Sequence, residues 1–363
     1  CAHNGNLTNT FSLRKKLVDS GSIFQTTSDT EIILQLVARS KKKTLVDKLI
    51  DALYQITGAY SLVILTNKKL IGVRDPYGIR PLVLGDKDGS PVLASETCAL
   101  DMIGAKYIRD VENGEIVIIT ENGIESVKPF KKLKERPCIF ERIYFASPDS
   151  IVGGKTVYTY RKSLGEQLSI ENNISADVVV PIPDSGVSAA IGFSQKSNIP
   201  FELGIIRSHY VGRTFIEPSQ TIRQFGVKLK HSVNRSCIEN KRVILIDDSI
   251  VRGTTASKIV KMVYEAGAKE VHLGISCPPI KHPDFYGIDT PNYNELIASH
   301  ANIEEMTKLV GAKSLFFLSL EGTYKAMGCE ERNTMNPQFT DHCFTGEYPV
   351  DVSEILKLNS KNG

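Results

Sequence analysis

The sequence predicts an α/β chain in two parts: an antiparallel-rich α+β region up to about residue 130, then a doubly wound parallel sheet. Three observations predict it. Strand-like runs cluster before residue 130, joined by short turns. In the second part strand-like runs alternate with helical ones. Between the two lies "PFKKLKERP", charged and bounded by Pro129 and Pro137, which sets the boundary between a unit of residues 1–130 and one of residues 131–363. A length of 363 residues suits two domains, each with its own core.

In chain order, Ser28-Asp29-Thr30-Glu31 reads as a capping box that opens the helix "EIILQLVAR". Leu45, Val46, Leu49, Ile50 and Leu53 recur at helical period in "TLVDKLIDALYQI". The run Lys41-Lys42-Lys43 between these two helices reads as a solvated linker. "GAYSLVILTNKKLIGVRDPYGIRPLVLG" then reads as three strands joined by an Asn-Lys turn and an Asp-Pro-Tyr-Gly turn, with "SPVLASE" and "GEIVIIT" as further strands. In the second part "ADVVVPIP", "FELGIIR", "KRVILIDD" and "EVHLGISCP" read as strands, and "SGVSAAIGFSQKS" and "TTASKIVKMVYEAG" as helices. The polar stretch between Arg207 and Lys230 is long for a connection inside a compact domain and reads as a mobile active-site loop.

Composition narrows the classes of function. The chain is 41% hydrophobic and 23% charged, ordinary values for a globular protein. A net charge of +3 gives no basic field for nucleic acid. No apolar stretch approaches the roughly 18 residues of a membrane span, and no signal peptide opens the chain, so the expected location is the cytoplasm. The seven cysteines form no Cys-x-x-Cys pair, which argues against a zinc knuckle and fits reduced thiols.

The chemistry is most legible in "VILIDDSIVRGTTASKIV". Four apolar residues, Val243 to Ile246, run into Asp247 and Asp248. A short loop, Ser249 to Gly253, leads through Thr254 and Thr255 into a helix. Two carboxylates at the mouth of a parallel sheet can hold vicinal hydroxyls or hydrated Mg²⁺. A Gly-Thr-Thr turn at a helix N-terminus offers backbone N–H groups, hydroxyls and the positive end of the dipole, which suit a phosphate. Both on one small molecule point to a phosphorylated ribose. An isolated Asp-Asp pair would only cap a turn, and a lone threonine only a helix; the continuous pattern favours the binding reading. A P-loop is the competitor, since "GGKT" at 153–156 resembles the end of a Walker A motif. The motif needs glycine at 149, where Asp149 stands, so "GGKT" reads as a loop before a helix.

"VILIDDSIVRGTT" resembles the phosphoribosyl pyrophosphate (PRPP) motif of type I phosphoribosyltransferases. With "YVGRTFIEPSQTIR", "PIPDSGVSAAIG" and "RDPYGIRPLVLG", the chain from Ala2 to about Val350 resembles the amidophosphoribosyltransferase family of purine synthesis. The resemblance implies an N-terminal-nucleophile (αββα-type) glutaminase unit followed by a type I phosphoribosyltransferase unit. Glutamine hydrolysis would supply ammonia that displaces pyrophosphate from PRPP to give phosphoribosylamine. It implies that Asp247 and Asp248 bind ribose hydroxyls and Mg²⁺, with Ser185 as a third magnesium position, and that Ser249, Ile250, Val251, Arg252, Gly253, Thr254 and Thr255 form the 5′-phosphate loop. Ser185 can equally cap the helix after it. Tyr210 to Ile216 match a loop that closes over pyrophosphate, where Arg213 could neutralise the leaving group; a solvated surface arginine is the plain alternative. Ser208-His209 stand before that loop where the family usually has Asn-Arg. In the first unit Asn4 and Gly5 match an oxyanion-hole pair, and Asp29 matches the residue that grips the α-amino group of glutamine; as a plain first-turn acid it would stabilise the helix dipole. A homo-oligomer with purine nucleotides as feedback inhibitors is also implied.

The sequence departs from the family in two places. Some members hold an iron–sulfur cluster on four cysteines; here the positions are Cys138, Asp284, Pro337 and Thr340. One thiol cannot supply four ligands, so no cluster is expected. Members also carry a long stretch with the catalytic cysteine before "AHNGN", and here Cys1 stands directly before Ala2. In an extended strand Cys1 and Asn4 would lie up to about 10 Å apart and point to opposite faces. The expectation is a glutaminase unit truncated at its N-terminus, with Cys1 an interior strand residue and not the nucleophile. Two other functions fit the PRPP motif: a non-catalytic PRPP- or nucleotide-binding regulator, which lacks a DNA-reading module here, and a salvage phosphoribosyltransferase, which leaves the first unit unexplained.

Overall fold

The computed structural model describes residues 1–208, 231–290 and 292–359. In the first part, strands β1 (Ala2–Leu7), β2 (Gly58–Leu65), β3 (Leu70–Arg74), β7 (Ile116–Thr120) and β8 (Gly123–Val127) form an antiparallel sheet in the order β1-β2-β3-β7-β8. Strands β4 (Val83–Lys87), β5 (Ser90–Ala94) and β6 (Lys106–Asp110) form a smaller one in the order β5-β4-β6.

Strict alternation builds the layers. Leu62, Ile71, Val73, Ile116 and Ile118 face helices α1 (Thr10–Asp19), α2 (Asp29–Arg39) and α3 (Leu45–Leu53), where they meet Leu17, Ile33 and Leu49. Their neighbours Val63, Leu70, Val117 and Ile119 face the small sheet at Leu82 and Leu84. On the far side of the small sheet, Leu100 of α4 (Thr97–Met102) packs on Val83. The stack is helix, sheet, sheet, helix, the αββα arrangement that the resemblance implies.

Two local expectations are corrected. Ser28 does cap α2, accepting from the Thr30 N–H at 3.2 Å. Glu31 does not complete a capping box: its carboxylate takes the N–H groups of Gln25 and Thr26, both at 2.8 Å, because the chain before the helix folds back over its first turn. The segment "FELGIIR" is not a strand of the parallel sheet. Phe201 makes one bridge to Val179, the Gly204 N–H then turns back onto the Glu202 carbonyl at 2.9 Å, and only β12 (Ile205–Arg207) is strand, antiparallel to β13 (His231–Val233). The kink at Gly204 lifts the chain off the sheet.

The Asp-Pro-Tyr-Gly turn is a knot of hydrogen bonds. The fully buried Asp75 accepts from the N–H groups of Tyr77 (3.0 Å) and Ile79 (3.1 Å) on Oδ1, and of Arg80 (3.2 Å) and Tyr60 (3.4 Å) on Oδ2. Burial pushes its pKa up, against these N–H groups and Arg74. Either orientation of an amide would turn N–H₂ toward two donors. Asp75→Asn is therefore expected to cost about 2–3 kcal/mol, read as a lower midpoint in urea unfolding.

In the second part, the hairpin β9 (Ile151–Val152) and β10 (Lys155–Thr156) turns at Gly153-Gly154, and Thr156 caps α5 (Val157–Glu171), so "GGKT" is a loop before a helix. Strands β11 (Val178–Pro181), β14 (Arg242–Asp247), β15 (Glu270–Ile275) and β16 (Ser314–Phe317) form a parallel sheet in that order. Helix α6 (Val187–Ser197) lies against β11 and β14 and packs on α5. Its Phe193 meets Phe316 of β16, with ring centroids 6.3 Å apart. No helix among the described residues is long and apolar enough to cross a membrane.

Candidate functional site

The site lies where β11 and β14, adjacent and parallel, both end. Val243 to Ile246 are fully buried, and Asp247 is the last residue of β14. The loop after it is anchored by Ile250, which is buried, and by the Ile297 N–H donating to the Val251 carbonyl at 3.0 Å. Gly253 has φ +76°, a left-handed conformation that favours glycine, and turns the chain into the helix Thr254–Glu265. That helix has no side-chain cap and no acid in its first turn, so its N-terminal N–H groups face an open cavity of about 220 Å³ lined by Asp247 and residues 249–256. An anion is the complementary ligand.

Across the cavity mouth, the loop after β11 brings Ser185, whose Oγ donates to Asp247 Oδ1 at 3.2 Å. The Asp248 N–H donates to the same oxygen at 2.9 Å. Ser249 Oγ donates to Asp248 Oδ2 at 2.5 Å. Burial, reinforced by the neighbouring Asp248 carboxylate, pushes the Asp247 pKa well up. The same surroundings push the buried Cys277 thiol up. The Asp247 carboxylate lines the cavity and suits hydroxyl donors or a cation, whereas Asp248 is buried beside it and is not among the lining residues. Arg252 also lines the cavity, with its Nε paired to Glu295 at 3.0 Å. Asp247 and Ser249 to Thr255 thus line one cavity, Ser185 reaches it through its contact with Asp247, and Asp248 does not line it. Arg213 and the segment 210–216 lie outside the described residues.

In the first unit, Asn4 and Gly5 sit in the middle of β1. Asn4 Oδ1 accepts from Arg80 Nη2 at 2.9 Å, and its Nδ2 donates to Ser95 Oγ at 3.5 Å. The backbone at Gly5 is packed from both sides. A Cβ there would stand 2.1 Å from the Ala59 carbonyl oxygen, and one on Gly287 would stand 2.6 Å from Gly5 Cα. His3 faces the other way, 3.4 Å from Asp29, which also accepts the Leu7 N–H at 3.0 Å. Burial would raise the Asp29 pKa, but His3 and this N–H hold it below its ordinary value. The structure therefore does not place the Asn4 and Asp29 side chains on one face. Cys1 is exposed and precedes β1.

Of the positions matched to a cluster, Asp284 and Thr340 have partners within the chain. Asp284 pairs with His342 at 2.9 Å and accepts the N–H groups of Tyr286 (2.7 Å) and Ile288 (3.0 Å). The Thr340 N–H donates to the Pro137 carbonyl at 2.9 Å, beside Cys138, whose buried thiol is pushed up to about 12. Sequence reasoning missed Arg80 and Gly287, whose partners lie far along the chain. It also missed Arg161, buried in α5, whose charge is felt at Asp248.

Comparison with known proteins adds the following. The glutamine amidotransferase domain family matches residues 1–102, and the phosphoribosyl transferase domain family matches residues 162–286. The whole chain is 58% identical to an amidophosphoribosyltransferase of Rhizobium etli, of which it spans 73%. It is 48% identical over 98% of its length to the amidophosphoribosyltransferase of Bacillus subtilis, spanning 75% of that protein. With the chloroplastic amidophosphoribosyltransferase 1 of Arabidopsis thaliana the identity is 51%, and the chain spans 62% of that protein. A solved structure of the B. subtilis glutamine PRPP amidotransferase, complexed with ADP and GMP, superposes with a TM-score of 0.91 over 97% of this chain and 77% of that one, at 48% identity.

Proposed function

This chain belongs to the amidophosphoribosyltransferase family, and we propose that it makes 5-phosphoribosylamine and pyrophosphate from PRPP and ammonia, with glutamine as the ammonia source. The glutaminase half would occupy residues 1–130 and the transfer half residues 131–363. The observation that carries the reading is the meeting of Ser185 and Asp247, 3.2 Å apart, over the uncapped N-terminus of the helix that starts at Thr254.

In this reading the loop from Ser249 to Thr255 binds the 5′-phosphate through backbone N–H groups and hydroxyls. Asp247 and Asp248 hold the ribose hydroxyls, so their negative charge lies beside a ring that becomes positive as the C1–O bond stretches. Arg213 would meet the negative charge that builds on the departing pyrophosphate. The donor set fits Mg²⁺: two carboxylates and a hydroxyl leave its remaining positions to water and substrate phosphate, as this ion prefers. Ser185, Asp247 and Asp248 would hold it, and when bound it would neutralise charge on pyrophosphate. The same phosphate loop would accept the 5′-phosphate of a purine nucleotide, the simplest route to feedback inhibition. In the glutaminase half, Asn4 and the Gly5 N–H would donate to the oxyanion formed from the glutamine amide.

A salvage enzyme would have no use for the amidotransferase match over residues 1–102. A regulator would be expected to bind PRPP without turnover. The purified chain with Mg-PRPP and ammonium is expected to release pyrophosphate in proportion to ammonia. A folded chain that binds PRPP but releases none would overturn the proposal.

A further inference from the structure

We propose that Arg80 is a positioning residue for glutamine hydrolysis: it fixes the amide of Asn4 so that the nitrogen end is the one offered to the substrate's oxyanion. The inference rests on the reading of Asn4 as an oxyanion donor.

An asparagine side chain has an accepting end and a donating end of nearly equal shape, and a half-turn exchanges them. Only the donating end can stabilise an oxyanion. Arg80 decides between the two. Its Nη2 stands 2.9 Å from Asn4 Oδ1, and a guanidinium, which only donates, is satisfied there by the oxygen and repelled by the nitrogen. Nδ2 is left with Ser95 Oγ at 3.5 Å, a contact at the outer limit that a negatively charged oxygen would displace.

Arg80 itself is buried and held through both of its Nη atoms. It is 1% exposed. Its Nη1 pairs with Glu141 Oε1 at 3.1 Å, in a single π-helical turn (Glu141–Phe145). The ring of Phe145 lies 4.7 Å from its guanidinium carbon. Its backbone N–H is on Asp75 and its carbonyl accepts from Arg74 Nε at 3.0 Å, within the knot described above. A lysine brings one nitrogen to a place where two nitrogens serve two different partners. The next link of β1 is pinned as well, by the close approach of Gly287 to Gly5 and by Asn6 Nδ2 donating to the Phe285 carbonyl at 3.0 Å. Arg80 thus fixes the orientation of the Asn4 amide.

The test uses protein expressed from the complete reading frame and compares glutamine-dependent with ammonia-dependent formation of phosphoribosylamine. Arg80→Lys is expected to lower the ratio of the two rates about tenfold or more through kcat, with the KM for glutamine moving less than about twofold, since an oxyanion donor acts only in the transition state. Glu141→Gln keeps shape but removes the charge that pairs with Nη1, and is expected to lower the same ratio about threefold; it serves if Arg80→Lys does not fold. Asn4→Asp still accepts from Arg80 but has no N–H to donate, and should lower the ratio about 100-fold. If Asn4→Asp leaves the ratio unchanged, the reading of Asn4 fails. If Asn4→Asp lowers it, while the Arg80 and Glu141 variants raise the glutamine KM at constant kcat or lower both rates together, Arg80 is only a strut and the inference is overturned.

Discussion

Asp247→Asn is expected to slow pyrophosphate release about 100-fold while raising the melting temperature of the protein. The loss follows from charge-assisted hydrogen bonds to a sugar hydroxyl or cation, worth about 1.5–3 kcal/mol each, that an amide oxygen makes only weakly. The gain follows from the position of the carboxylate. Asp247 is partly buried beside Asp248, and both burial and that neighbour raise its pKa well above 3.8. An acid whose folded-state pKa is raised binds its proton more tightly in the folded than in the unfolded chain. It contributes stability below the unfolded value of 3.8, and that contribution is lost as pH climbs through the raised folded value. At higher pH the folded protein therefore carries a partly buried charge beside a second carboxylate. Asparagine removes it and keeps the contacts to Ser185 and the Asp248 N–H within reach. Thermal melts across pH, without substrate, should show the wild type losing stability with rising pH over this window and the variant following a flatter line. A variant that melts lower than the wild type at every pH would mean that Asp247 is a structural cap and that the charge is not stored for a ligand.

The strand, the two carboxylates, the loop and the helix start from Val243 to Thr255 were legible in the sequence because they are contiguous. Chemistry and geometry then share one stretch of chain, and Val243 to Thr255 say the same thing at both levels. The layers of the first part were legible in kind from its strands, but the side on which each helix lies depends on alternation within runs such as "IVII", in which both faces are apolar. The kink at Gly204 was hidden because "FELGIIR" has strand-like residues throughout and nothing local marks the turn back to Glu202. Arg80 was hidden for a different reason. Its partners come from residues 4 and 141, so its role exists only after the chain has folded. Glu31 was misread because two backbone N–H groups before the helix compete for its carboxylate more closely than the cap does.

Gly186→Ala should cost both stability and function, for a reason no motif shows. A Cβ on Gly186 would stand 2.2 Å from the Ile246 carbonyl oxygen and 2.9 Å from that of Ile182. The first of these already accepts the Ile182 N–H at 2.8 Å, so it cannot retreat without loosening β11 from β14. The start of α6 must move instead, and Ser185 is the residue before Gly186. We expect a loss of about 1–3 kcal/mol from the added methyl and, with it, loss of the 3.2 Å contact between Ser185 and Asp247. PRPP affinity should fall about tenfold, the worth of one charge-assisted hydrogen bond at the low end of its range. Gly192→Ala is the control. Its Cβ would stand 2.0 Å from the Lys162 carbonyl oxygen, a clash of the same kind between α5 and α6, but six residues, or about 9 Å of helix, further from the site. It should lower stability by a similar amount and leave the PRPP affinity of the folded protein within about threefold. Equal losses of affinity in the two variants would mean that α6 moves as a rigid rod, and that the whole crossing with α5, not the close approach at Gly186, sets the position of Ser185.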